Sequence, residues 1–206
     1  GIFAATGQTC IAGSRLLVQN SIKDVFTERL VQLGRSAKKG DPMLPDTNIG
    51  PVTTPAQYQK ILDYIDIAKR EGARCVLGGQ PASDMPGGQF VEPTIFVDVT
   101  PGMRIAREEV FGPVLSILGF EDEEEAIALA NDTIYGLAAT IWTKDIKRAH
   151  TLAHRIHAGN VSINYPTVNP PEAPFGGFKQ SGLGRELSRH VMELYTQVKN
   201  VVVNLG

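Results

Sequence analysis

Cys10 stands in the run Gly7-Gln8-Thr9-Cys10-Ile11-Ala12-Gly13-Ser14-Arg15, bracketed by glycines that let the backbone turn sharply and come close to a ligand. A thiol so placed serves as a nucleophile where its surroundings are electropositive and partly open. The plainer alternative is a small buried hydrophobe, and Cys75, inside ARCVLGG, carries only that reading. A second cluster, Arg107-Glu108-Glu109-Val110-Phe111-Gly112-Pro113, sets two carboxylates and an aromatic just before a β run. A carboxylate at a strand entrance accepts hydrogen bonds from sugar hydroxyls, and an aromatic supports a flat ring. Against this stands the ordinary fate of paired charges at a helix end, which is solvation. A third cluster runs from Pro174 through Phe175, Gly176, Gly177 and Phe178 to Gly184, Arg185 and Glu186, after a proline-rich stretch over 165–174. Long loops inside compact domains are functional or disordered, and four prolines restrict this one, which suits a pocket wall. His150, His154 and His157 fall at i, i+4 and i+7, but H-T-L-A-H lacks the Glu of a metal-hydrolase helix. An exposed helix face explains the spacing, and no metal site is expected.

Strand-like and helix-like runs alternate around these clusters. Residues 14–19 read as a strand, and Ile22, Val25, Phe26, Leu30, Leu33 and Ala37 as one stripe of an amphipathic helix. A loop with Pro42, Pro45, Gly50 and Pro51 follows, then a helix carrying Tyr58, Ile61, Leu62, Ile65 and Ala68 and ended by Gly72. Strands are expected over 75–77, 90–99, 113–120, 138–142 and 160–164, and helices over 122–131, 146–157 and 183–196. A β-branched run over 198–205 reads as a last strand. This order predicts an α/β, three-layer domain: a mostly parallel sheet flanked by helices. An unpaired terminal strand recruits a partner, so 198–205 pairs either within the domain or with a neighbouring subunit. The expected division is a domain over 1–196 and an oligomerisation strand over 197–206.

The 206 residues, 42% of them apolar, suffice for one core without disulfides or structural metal. A net charge of −2 leaves no basic excess to neutralise a phosphate backbone, so no nucleic-acid partner is expected. No apolar run approaches the ~18 residues of a bilayer span, and two unlike cysteines argue for a reducing, cytoplasmic setting. Residues 1–6 read as the tail of an apolar element whose beginning is missing, an expectation of a chain truncated at its N-terminus.

The three clusters together, in this order, resemble the catalytic domain of the NAD(P)-dependent aldehyde dehydrogenase superfamily. GQTCIAGSR is similar to its nucleophile motif, EEVFGPV to its cofactor-ribose motif, and PFGGFKQSGLGRE to its C-terminal signature. The resemblance implies that Cys10 attacks an aldehyde to give a thiohemiacetal, that hydride passes to NAD or NADP, and that water hydrolyses the resulting thioester. The Cys10 backbone N–H would be one oxyanion donor. It further implies that Glu109 holds the nicotinamide ribose with Phe111 beside it, that Phe175 lines the substrate tunnel, and that Glu186 takes part in proton relay. Residues 165–173, with Tyr165, would shape aldehyde selectivity, and 198–205 would join another subunit's sheet in a homo-oligomer, dimer or tetramer. In the superfamily the dinucleotide-binding domain, the general-base Glu and the Asn of the oxyanion hole precede the cysteine, so 1–206 alone is expected to be inactive. Two other classes stay open: a cysteine hydrolase with Gln8 as oxyanion side chain, which lacks the Cys-Gly-Ser-Cys-Trp pattern of papain-like enzymes, and a non-catalytic oligomerisation module.

Overall fold

The computed structural model describes residues 1–166 and 169–206, and the chain divides into two compact units, 1–133 and 134–206. The first unit is built on a four-stranded sheet. Its strands are β1 (Arg15–Gln19), β2 (Arg74–Leu77), β3 (Thr94–Val97) and β4 (Val114–Phe120), in the order β1-β4-β3-β2. β1 pairs parallel to β4 and β4 parallel to β3, whereas β2 runs antiparallel along β3. The antiparallel edge has a simple cause. No helix separates β2 from β3, and a strand returning without a crossover lies antiparallel to its predecessor. Gly78 and Gly79 start the return at positive φ, and a side chain on Gly78 would run into the Pro93 carbonyl.

Helices cover both faces, as the alternation of strand and helix predicts. Side chains alternate across a strand: Phe96, Val114 and Leu118 pack with Ile61, Ile65 and Ala68 of α2 (Pro55–Arg70), while Ile95, Val97, Leu115 and Ile117 face Leu30 and Val31 of α1 (Lys23–Arg35). Thr54 caps α2 by accepting the Gln57 backbone N–H, and Pro55 occupies the first turn, where its missing N–H costs nothing. A single turn, α3 (Arg104–Arg107), precedes β4, and α4 (Glu123–Asn131) follows it with Asp122 as N-cap. The stripe expected on α1 divides: Leu30 joins the core, but Val25 and Leu33 are 59% and 67% exposed, with Ile22 and Phe26 also outward.

The second unit is a β-α-β crossover, β5 (Ala138–Ile141), α5 (Ile146–Arg155) and β6 (Asn160–Ile163), its two strands parallel. One expectation needs correction here. The helix over 183–196 is present only as α6 (His190–Tyr195). Residues before it are diverted: Glu186 exchanges both backbone hydrogen bonds with Phe175, and Ser188 N–H donates to the Pro171 carbonyl. Leu187 and Ser188 accordingly sit at left-handed φ, which a helix does not allow. Among the described residues, 198–205 pair with no strand, and Val198, Val201, Val202, Val203 and Leu205 are exposed.

Candidate active site

Cys10 is exposed on a tight turn closed by Ala12 N–H donating to the Thr9 carbonyl, just before β1. The residues ahead of it follow an unusual path. Ala5, Thr6 and Gly7 all adopt left-handed backbone, with Thr6 buried and its hydroxyl donating to the Gly50 carbonyl at 3.0 Å. Gly7 is glycine for two reasons: its φ is +68°, and a Cβ there would overlap the Gly112 carbonyl. The thiol-bearing segment is thus pressed against the end of the Glu109–Phe111 cluster.

Gln8 is engaged elsewhere than a hydrolase would need it. Its Oε1 accepts the Thr53 N–H at 3.0 Å and its Nε2 faces the Pro51 carbonyl at 3.5 Å. The side chain ties the thiol segment to the loop before α2, a structural role that the hydrolase reading does not call for. Cys75 behaves as expected of a structural thiol. It is half-buried in β2, its Sγ donates to the Leu77 carbonyl at 3.1 Å, and burial pushes its pKa up.

The two carboxylates of the second cluster part company. Glu108 is gripped: Arg104 Nε and Nη2 each donate to it at 2.8 Å, and the Tyr64 hydroxyl donates at 2.5 Å. Hydrogen bonds from Arg104 and Tyr64 hold its pKa down at about 2. Burial and this same carboxylate push the Tyr64 phenol up. Glu109 is exposed, and Phe111 is half-buried at φ +58°. Gln57 Nε2 donates to the carbonyls of both Val110 and Phe111, at 2.8 and 2.9 Å, so the segment carrying Glu109 is anchored on either side. Glu109 and Phe111 therefore occupy the same unit as Cys10, on neighbouring loops joined through Gly7 and Gly112.

Phe175, Glu186 and Tyr165 belong to the second unit. Phe175 is half-buried and held to exposed Glu186 by the paired backbone bonds described above. Arg185 donates to the carbonyls of Gly177 and Gly184 and lies 5.6 Å from the centroid of the Phe178 ring. The glycines allow this packing, since a Cβ on Gly177 would strike Ser181. Tyr165 is exposed, and of the loop over 165–173 expected to shape selectivity, residues 167 and 168 lie outside the described residues. Among the described residues, no group of His, Cys, Asp or Glu side chains is arranged to hold a metal ion, and no helix is long and apolar enough to cross a membrane.

Sequence reasoning passed over Gln57, Tyr64 and the separate role of Glu108. A signal existed: Gln57, Ile61 and Tyr64 recur at i, i+4 and i+7, one face of α2.

Comparison with known proteins bears on this site. The sequence profile of the aldehyde dehydrogenase family matches residues 1–201. A betaine aldehyde dehydrogenase of Cereibacter sphaeroides is 50% identical over 206 residues, all of this chain and 42% of that protein. Among solved structures, an NAD-dependent aldehyde dehydrogenase from Sinorhizobium meliloti is 44% identical, with a TM-score of 0.93 over 100% of this chain and 41% of the other. A betaine aldehyde dehydrogenase from Staphylococcus aureus in complex with NAD+ is 46% identical, with a TM-score of 0.92 over 94% of this chain and 39% of the other. The chain spans about 42% of the length of the Cereibacter relative it matches.

Proposed function

The chain belongs to the aldehyde dehydrogenase family, and from that premise we propose that it supplies the nucleophile and part of the cofactor site of an NAD-dependent aldehyde oxidation. One observation carries this: exposed Cys10 on a turn whose flanking Gly7 abuts the anchored loop of Glu109 and Phe111. Cys10 Sγ adds to the aldehyde carbon as a thiolate, giving a thiohemiacetal, with the Cys10 backbone N–H donating to the oxygen where charge develops. Bound NAD+ supplies the hydride acceptor. Loss of hydride from the carbon leaves a thioester on Cys10, and water releases the acid and restores the thiol. Net, an aldehyde, water and NAD+ become an acid, NADH and a proton.

Glu109 fits its part. An exposed carboxylate on a fixed backbone accepts hydrogen bonds from two vicinal hydroxyls, which is what a ribose presents. Phe111 offers an apolar wall beside it. Phe175 and Tyr165 contribute to the aldehyde tunnel, the loop over 165–173 tunes selectivity, and Glu186 relays protons released in the hydrolytic step. The NAD+ bound to the Staphylococcus aureus relative favours NAD over NADP. A domain over 1–196 followed by an oligomerisation strand over 197–206, docked on a second subunit, completes the reading. It is supported by the exposed β-branched run after α6.

In this reading a dinucleotide-binding domain and a general base act from outside 1–206. Purified 1–206 therefore forms no NADH from any aldehyde. Joined to the remainder of the Cereibacter sphaeroides relative it does, with betaine aldehyde the first substrate to assay, and Cys10→Ser abolishes the activity. Turnover that survives Cys10→Ser would sink the proposal.

A further inference from the structure

Glu108 and Glu109 have the same chemistry and opposite surroundings, and the difference is built by the chain. Glu108 has extended backbone, φ −110° and ψ 151°, so consecutive side chains leave on opposite sides. Glu108 turns toward α2 and α3; Glu109 is left to solvent. A lone surface ion pair holds little. Glu108, however, meets a two-pronged guanidinium at 2.8 Å, a phenol at 2.5 Å, and an Arg104 that also lies 5.5 Å from the Tyr64 ring centroid. Arg104 is itself fixed, its backbone N–H donating to Glu71 Oε2 at 2.8 Å. On the far side of Glu109, Gln57 takes both the Val110 and Phe111 carbonyls, and Ile61 packs where Gly112 leaves room, with a Cβ on that glycine falling 2.6 Å from Ile61. One face of α2 therefore meets Glu108, Val110, Phe111 and Gly112, while Phe111 is held at a left-handed φ that a bulky residue rarely adopts.

We propose that Tyr64 and Glu108 are positioning residues: they fix the backbone from which Glu109 reaches the cofactor ribose, and so set the affinity for NAD+. The inference rests on the assignment of Glu109 made above. A carboxylate accepting two hydroxyls must be held to within about 0.5 Å of its working position. Loosening the loop therefore weakens cofactor binding before it touches the aldehyde. Neither Tyr64 nor Glu108 contacts substrate or cofactor in this scheme.

The test compares Tyr64→Phe, Glu108→Gln, Glu109→Gln and the Tyr64→Phe/Glu109→Gln pair in the full-length polypeptide that carries these residues, with thermal melting recorded for each. Expected are a rise in KM for NAD+ of roughly tenfold for Glu109→Gln and about three- to tenfold for Tyr64→Phe and Glu108→Gln. The KM for aldehyde stays within about twofold. The double variant is no worse than Glu109→Gln alone, because Tyr64 acts only through Glu109. The inference is overturned if Glu109→Gln raises KM for NAD+ and Tyr64→Phe and Glu108→Gln do not, if both KM values rise together, or if the paired effects multiply. Should Glu109→Gln itself leave KM for NAD+ unchanged, the ribose assignment fails and this inference falls with it.

Discussion

Glu108 shows how one carboxylate is made structural by its neighbours. Its pKa lies below the ordinary 4.5, at about 2, so the tie to Arg104 and Tyr64 is fully present above the unfolded value and lost as pH falls through about 2. Thermal unfolding of the native chain and of Glu108→Gln should therefore differ by a constant interval above about pH 5.5, and the interval should close as pH approaches 2. A gap that persists at the acid end would show that the charge is not what holds the residue. At this scale the sequence was partly legible. Cys10 stands out in the sequence by its flanking glycines and the Glu-Glu-x-Phe-Gly-Pro run by its composition, and the structure finds Cys10 exposed on a turn. Which of the two glutamates would be gripped was not readable, because the decision is made by Tyr64, 44 positions earlier, and by an Arg one helical turn back.

Helix α2 is the element on which the loop of Glu109 and Phe111 depends, and its first turn is held by the Thr54 side chain. Thr54→Ala should destabilise the chain by about 1 kcal/mol. In urea this appears as an earlier midpoint with an unchanged slope. It should also loosen Gln57, whose backbone N–H the cap accepts and whose side chain holds Val110 and Phe111. The periodicity was visible beforehand, since Ile61, Ile65 and Ala68 recur at helical spacing and are buried as expected, whereas the Thr54 cap was passed over. The elements misread were those decided by distant partners. The long strand over 90–99 shrinks to Thr94–Val97, with Pro93, which has no N–H to donate, at its entrance. The helix over 183–196 loses its first half because Glu186 finds a backbone partner in Phe175.

At the scale of the molecule, the doubly covered sheet followed from the alternation of strand and helix, whereas the division at 133/134 left no mark in composition. The β-branched run over 198–205 reads as a strand in the sequence, but among the described residues it pairs with no other segment, since pairing is a property of neighbours. If that run docks on a second copy, removing 198–206 from the full-length polypeptide should lower its mass by light scattering to that of one subunit, while the first unit melts at its former temperature. An unchanged mass would assign assembly to another surface. The outward side of α1 bears on handling. Ile22, Val25, Phe26 and Leu33 give the recombinant chain a greasy flank, and such flanks drive polypeptides into inclusion bodies. Cool induction, dilute lysates and a solubilising fusion tag are the conditions that this helix asks of anyone preparing the protein.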